Sequence, residues 1–138
     1  LGEAVEGMAT VHQLSDGDVT VDLGYLDELA ASDKEYVKTM INLFLDNMPA
    51  TLDKMEQCNN KGDWENLYRT AHYAKSSLSV IKIKQLYELA QQMENTARLN
   101  KDHSTNASML HKMKEVYAKA EKLLNKELET LSTAKQVA

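Results

Sequence analysis

From residue 37 onward, apolar positions recur at steps of three and four with few interruptions. Val37, Ile41, Phe44, Met48, Leu52 and Met55 form the first run, the spacing that keeps side chains on one face of a 3.6-residue helix. Trp64, Leu67, Ala71, Ala74, Leu78 and Ile81 form the second, and Ile83, Leu86, Ala90, Met93 and Ala97 the third. The fourth holds Leu110, Met113, Tyr117, Ala120, Leu124 and Leu131. Pro49 lies inside the first run, where a missing N–H and a crowded carbonyl one turn back predict a kink. Asn59-Asn60-Lys61-Gly62 reads as the turn after it, Asp63 as the N-cap of the second helix, and the polar residues 100–106 as the link to the last. A shorter helix is expected over residues 24–31, with Leu26 and Leu29 as its apolar contacts. Ser32-Asp33-Lys34-Glu35 then has the form of a capping box, with Ser32 as the cap.

Four long amphipathic segments with short links predict an all-α domain, an antiparallel four-helix bundle with a short additional N-terminal helix. Four of the five glycines fall within the first 24 residues. The expected organisation is a flexible N-terminal segment or linker over 1–20 and the bundle over 21–133.

Composition narrows the classes. The 138 residues are 43% hydrophobic with a net charge of −5, which fits one folded domain and argues against a broad nucleic-acid surface. No run approaches the roughly 20 apolar residues that span a bilayer, so no direct membrane insertion is expected. Residues 1–14 lack the basic end and apolar run of a secretory signal. The single cysteine, Cys58, excludes an internal disulfide and multi-cysteine metal sites. A cytoplasmic location is the resulting expectation. The methionines and Trp64 read as core filling.

Of the four histidines, His12 and His103 fall in presumed tail and loop and His111 beside the last stripe, where a solvated surface role is the default. No Glu-x-x-His pair or metal-spaced Cys/His cluster is present, so no metal site is expected. His72 is distinct. It follows the stripe residue Ala71 and so sits about 100° around the helix, at the edge of the core. Lys75 and Ser76 lie one turn further along that face, Ser79 continues it, and Tyr68 and Arg69 stand one turn before. A neutral imidazole among cationic and hydroxyl groups is suited to carry a phosphoryl group.

Ala71-His72-Tyr73-Ala74-Lys75-Ser76-Ser77-Leu78 resembles the histidine-phosphotransfer (HPt) domain of multistep phosphorelays. The upstream Gly62-Asp63-Trp64 turn and the helix Leu86–Arg98 are also similar to that family. The resemblance implies a carrier, not an enzyme, in which His72 takes a phosphoryl group on its outward Nε2 and passes it on. Lys75 would steady the phosphoryl oxygens, and Ser76 would leave room for the partner where the family usually has glycine. Glu94 or Gln91, on the following helix, would orient the imidazole. The implied partner is the receiver domain of a response regulator or hybrid histidine kinase. Mg²⁺ would reside on that receiver or kinase, and this chain would need no cofactor. Tyr68, Leu45 and Met48 are the expected docking contacts. Two alternatives remain at this level: a non-phosphorylated adaptor that binds a receiver, or the phosphorylated helical domain of a larger histidine kinase.

Overall fold

The computed structural model describes residues 12–99 and 102–137. The chain begins with strands β1 (Gln13–Asp16) and β2 (Val19–Asp22), followed by helices α1 (Gly24–Ala30), α2 (Lys34–Lys61) and α3 (Trp64–Ser77). A two-residue strand β3 (Lys82–Ile83) then leads into α4 (Lys84–Leu99) and the long α5 (Asn106–Val137). Helices α2 to α5 form the four-helix bundle, with seams α2–α3, α3–α4, α4–α5 and α2–α5 that leave α3 and α5 diagonal. All four stripes meet at the centre, where Ile41, Met55, Leu67, Leu86, Met93 and Met113 are fully buried.

A small sheet of order β1-β2-β3 is added to the bundle, with Val21 opposite Ile83 and Gln13 opposite Asp22. The expectation of a flexible segment or linker over 1–20 is therefore corrected for residues 12–20, while residues 1–11 lie outside the described residues. Val19, Val21 and Leu23 alternate with polar residues and all three are buried, as a half-covered strand requires. The turn is Gly17-Asp18, and Gly17 has φ 63, a left-handed value that glycine adopts without a steric penalty. The Gln85 side chain holds the hairpin to α4: its Nε2 donates to Asp18 O, and its Oε1 accepts from Thr20 N at 3.4 Å.

Several local expectations change. The cap of α2 is Asp33 rather than Ser32; its Oδ1 accepts from Glu35 N at 3.0 Å and Tyr36 N at 3.2 Å. Ser32 instead turns the chain, with φ 75, while Asp33 has the extended backbone that an N-cap needs. Leu26 is buried as expected, but Leu29 is exposed. Helix α3 stops at Ser77, so Leu78 and Ile81 are buried from the connection to β3 rather than from a helix. Asp63 caps α3 as expected, accepting from Asn66 N at 3.2 Å. His103 is no solvated loop residue: its ring stacks on half-buried Trp64 with centroids 3.7 Å apart.

Helix α2 runs through Pro49 as one element. Proline has no N–H to give the carbonyl four residues back, which is that of Leu45. The Tyr117 hydroxyl on α5 donates to Leu45 O at 3.4 Å and fills the vacancy. Burial, with Glu121 and Asp46 nearby, pushes the Tyr117 hydroxyl up to about 12, so it stays protonated and able to donate.

Candidate functional site

His72 sits on α3 beside fully buried Ala71, and its own side chain is 63% exposed. Because α4 runs back along α3, Glu94 comes level with His72. Glu94 Oε2 lies 2.6 Å from His72 Nδ1, and Glu94 Oε1 accepts from Lys75 Nζ at 3.1 Å. One carboxylate thus holds both the imidazole and the cation one turn away. Glu94 is only 11% exposed and Lys75 18%, so α3 and α4 shield the pair from water on one side. Burial pushes the Glu94 carboxyl up, but hydrogen bonds from His72 and Lys75 and the charge beside it outweigh burial and hold it below the usual range.

An ionised carboxylate only accepts hydrogen bonds, so in the neutral ring the proton sits on Nδ1 and the lone pair on Nε2. Nε2 has no hydrogen bond to the protein among the described residues. The outcome is an oriented imidazole with an open nucleophilic nitrogen. The Tyr68 ring lies alongside it, with centroids 6.3 Å apart and planes 26° apart. The Arg98 guanidinium lies 5.8 Å from the Tyr68 centroid, and the Lys75 ammonium 5.4 Å from that of Tyr87.

The remaining sequence-based candidates divide. Ser76 is exposed on the His72 face, but its Oγ is occupied with His72 O at 3.3 Å. Ser79 Oγ donates to Ser76 O at 2.8 Å, past the end of the helix. Arg69 pairs with Glu65 at 2.9 Å and lines a groove on the α2 side with Lys54 and Tyr73. Gln91 is exposed and makes no hydrogen bond to His72. One docking contact is corrected: Met48 is 1% exposed, because a stripe position faces the core. Leu45 is half-buried, and its carbonyl accepts from Tyr117 on α5.

Sequence reasoning missed four residues here. Tyr73 is the exposed aromatic directly after His72. Exposed Leu43 lines a shallow groove with Ser76 and Ser77. Tyr87 and Arg98 stand seven residues before and four after Glu94, on its face of α4, a spacing that could have identified them. Among the described residues no group of three His, Cys, Asp or Glu side chains could hold a metal ion, and no helix is long and apolar enough to cross a membrane.

A helical bundle that displays an oriented histidine on one face is the architecture of a phosphoryl carrier. Residues 39–134 match the family model of the Hpt domain, and the chain belongs to that family. No curated protein matches it in sequence. Among solved structures it is similar to histidine-containing phosphotransfer protein B (HptB) from Pseudomonas aeruginosa PAO1, with TM-score 0.71 and 21% identity over 78% of this chain and 90% of that one. It is also similar to the HPT domain of a sensor hybrid histidine kinase from Shewanella, with TM-score 0.64 and 17% identity over 78% and 91%. The chain has a histidine phosphotransfer role in two-component phosphorelay. Domains of this family are phosphocarriers that work with receiver domains and histidine kinases.

Proposed function

We propose that His72 is the phosphoryl acceptor and donor, exchanging the group with an aspartate of a receiver domain. In the accepting step the Nε2 lone pair attacks phosphorus. The bond from phosphorus to the aspartyl oxygen breaks, and its electron pair leaves with the carboxylate. The imidazole becomes a cation whose Nδ1–H remains on Glu94, and the reverse step returns neutral imidazole. Lys75 has three N–H donors and commits one to Glu94, which leaves two for phosphoryl oxygens. Mg²⁺ belongs to the receiver or kinase, since phosphoryl transfer needs a metal beside the transferring oxygens.

The observation that carries this reading is the 2.6 Å contact between Glu94 and Nδ1 with Nε2 left open. The test is incubation with a phosphorylated receiver and Mg²⁺, followed by intact-mass analysis of wild type and His72→Gln. One acid-labile phosphoryl group is expected on wild type and none on the variant. Equal labelling of both proteins would place the acceptor elsewhere, and binding without labelling would make the chain an adaptor.

A further inference from the structure

The sheet opens a second surface next to the His72 face. A groove of about 640 Å³ runs between the hairpin and the α3–α4 connection, lined by Gln13, Thr20, Ser79, Lys82, Lys84 and Tyr87. It is continuous with the site, because the Tyr87 ring that forms one wall also lies beneath the Lys75 ammonium. Ser77, the last residue of α3, is five residues beyond His72, about 7.5 Å along the axis at 1.5 Å per residue, and Ser79 in the lining follows two residues later. A standard protein interface covers about 800 Å² on each partner, a patch roughly 16 Å in radius. A domain centred on His72 therefore overlaps the groove.

The groove's charge points to its occupant. Lys82 and Lys84 form no ion pair with the described residues, and the Lys82 ammonium lies 5.1 Å above the Tyr25 ring. The acid in the lining, Asp22, has one carboxylate oxygen engaged with Gly24 N at 2.9 Å. A protein that handles an aspartyl phosphate with Mg²⁺ places one or two further carboxylates beside the metal. Two cations in a chain of net charge −5 thus face the sign of charge such a partner presents. The strands β1 and β2 lie outside the stretch 39–134 that matches the family model, while Lys82 and Lys84 lie within it. Gln85 holds the hairpin in place from the first turn of α4.

We infer that the sheet-end groove is the selectivity half of the docking surface. It receives the acidic rim of the receiver whose aspartate exchanges phosphate with His72, and Lys82 and Lys84 are the contact cations. This rests on the carrier reading above. The test measures transfer from a panel of Mg²⁺-loaded receiver domains, phosphorylated with acetyl phosphate, to wild type, to Lys82→Glu/Lys84→Glu and to Lys122→Glu/Lys126→Glu. The last variant makes the same charge change on exposed positions of α5, diagonal to α3.

For the receiver that labels wild type fastest, the groove variant should lose about tenfold or more in kcat/KM at low salt. The α5 variant should stay within about twofold. The gap should close as salt rises, with unchanged lifetime of the phosphohistidine; the melting temperature should fall by a few degrees at most, because a carboxylate at position 82 faces Asp22 across the ladder. Equal rates for the two double variants would overturn the groove and leave the carrier reading standing. A wild type that accepts no phosphoryl group from any receiver would remove the carrier reading, and the groove with it.

Discussion

Two histidines in this molecule make the same contact in opposite settings. His12 Nδ1 lies 2.6 Å from Asp27 Oδ2, and His72 Nδ1 lies 2.6 Å from Glu94 Oε2. The difference is at the other ring nitrogen. His12 Nε2 meets Glu127 Oε2 at 3.1 Å, so both its nitrogens face carboxylates and its side chain is 28% exposed. It ties the start of the hairpin to α1 and α5. His72 turns the second nitrogen outward on a side chain more than twice as exposed. A carboxylate on one side fixes an imidazole; an open second side leaves His72 able to take the role proposed for it.

The sharpest break of that comparison is glutamine at each position. His72→Gln should abolish phosphoryl labelling and leave the melting temperature within a degree or two, since most of the ring lies outside the core. His12→Gln should leave labelling within about twofold and cost about 1 kcal/mol of stability, the scale of a partly exposed ion pair, read by thermal melting. Should His72→Gln unfold the chain, His72 would prove to be the strut.

Glu94→Gln comes next. It keeps the shape but removes the charge that selects the Nδ1–H tautomer, so transfer should slow roughly 10- to 100-fold, the effect of losing an outer partner that orients an imidazole. It also changes the acid limb of stability. Glu94 is held below its ordinary 4.5, so its contribution is complete above that value and is lost as pH falls through the lower folded-state value. Urea midpoints of wild type and Glu94→Gln should differ at neutral pH and converge in acid. A constant gap would mean the carboxylate's charge contributes nothing.

A smaller effect is expected where a polar contact is purely structural, as at His12. Tyr117→Phe leaves the Leu45 carbonyl opposite Pro49 without its donor and should cost about 1–2 kcal/mol, with transfer unchanged. The hydroxyl is raised from 10.0 to about 12, so its contribution is complete below 10 and disappears as pH rises toward 12. The variant should therefore lose less stability than wild type across that alkaline range. Smallest of all is Ser76→Gly, which restores the residue usual at this position. Transfer kinetics should rise no more than about twofold, because the Ser76 hydroxyl already folds back onto its own helix, and helix stability should fall by about 0.5 kcal/mol.

The bundle was legible because its cause is local. Stripes such as Ile41-Phe44-Met48 and Leu67-Ala71-Ala74 specify which face of each helix is buried without reference to any other helix. The hairpin was legible too, in the alternation of Val19, Val21 and Leu23 after Asp16-Gly17. Four residues of period two nevertheless make a short signal beside long helical runs. Met48 is no docking contact for a related reason: a place in a stripe implies burial, and which half-buried residues border a site depends on the neighbouring helix.

Sequence alone determined the four helices, their buried faces, the position of His72 at the core's edge and the motif that marks it. Each of these follows from spacing along one chain segment. Tertiary structure decided the rest. It brought Glu94 from α4 onto the imidazole of α3, gave Lys75 to that same carboxylate, matched Tyr117 to the carbonyl that Pro49 leaves open, and closed both nitrogens of His12 while leaving one of His72 exposed. Periodicity places a side chain around its own axis, but its partner comes from the rotation and offset of a second helix, and these are set by packing across the whole core.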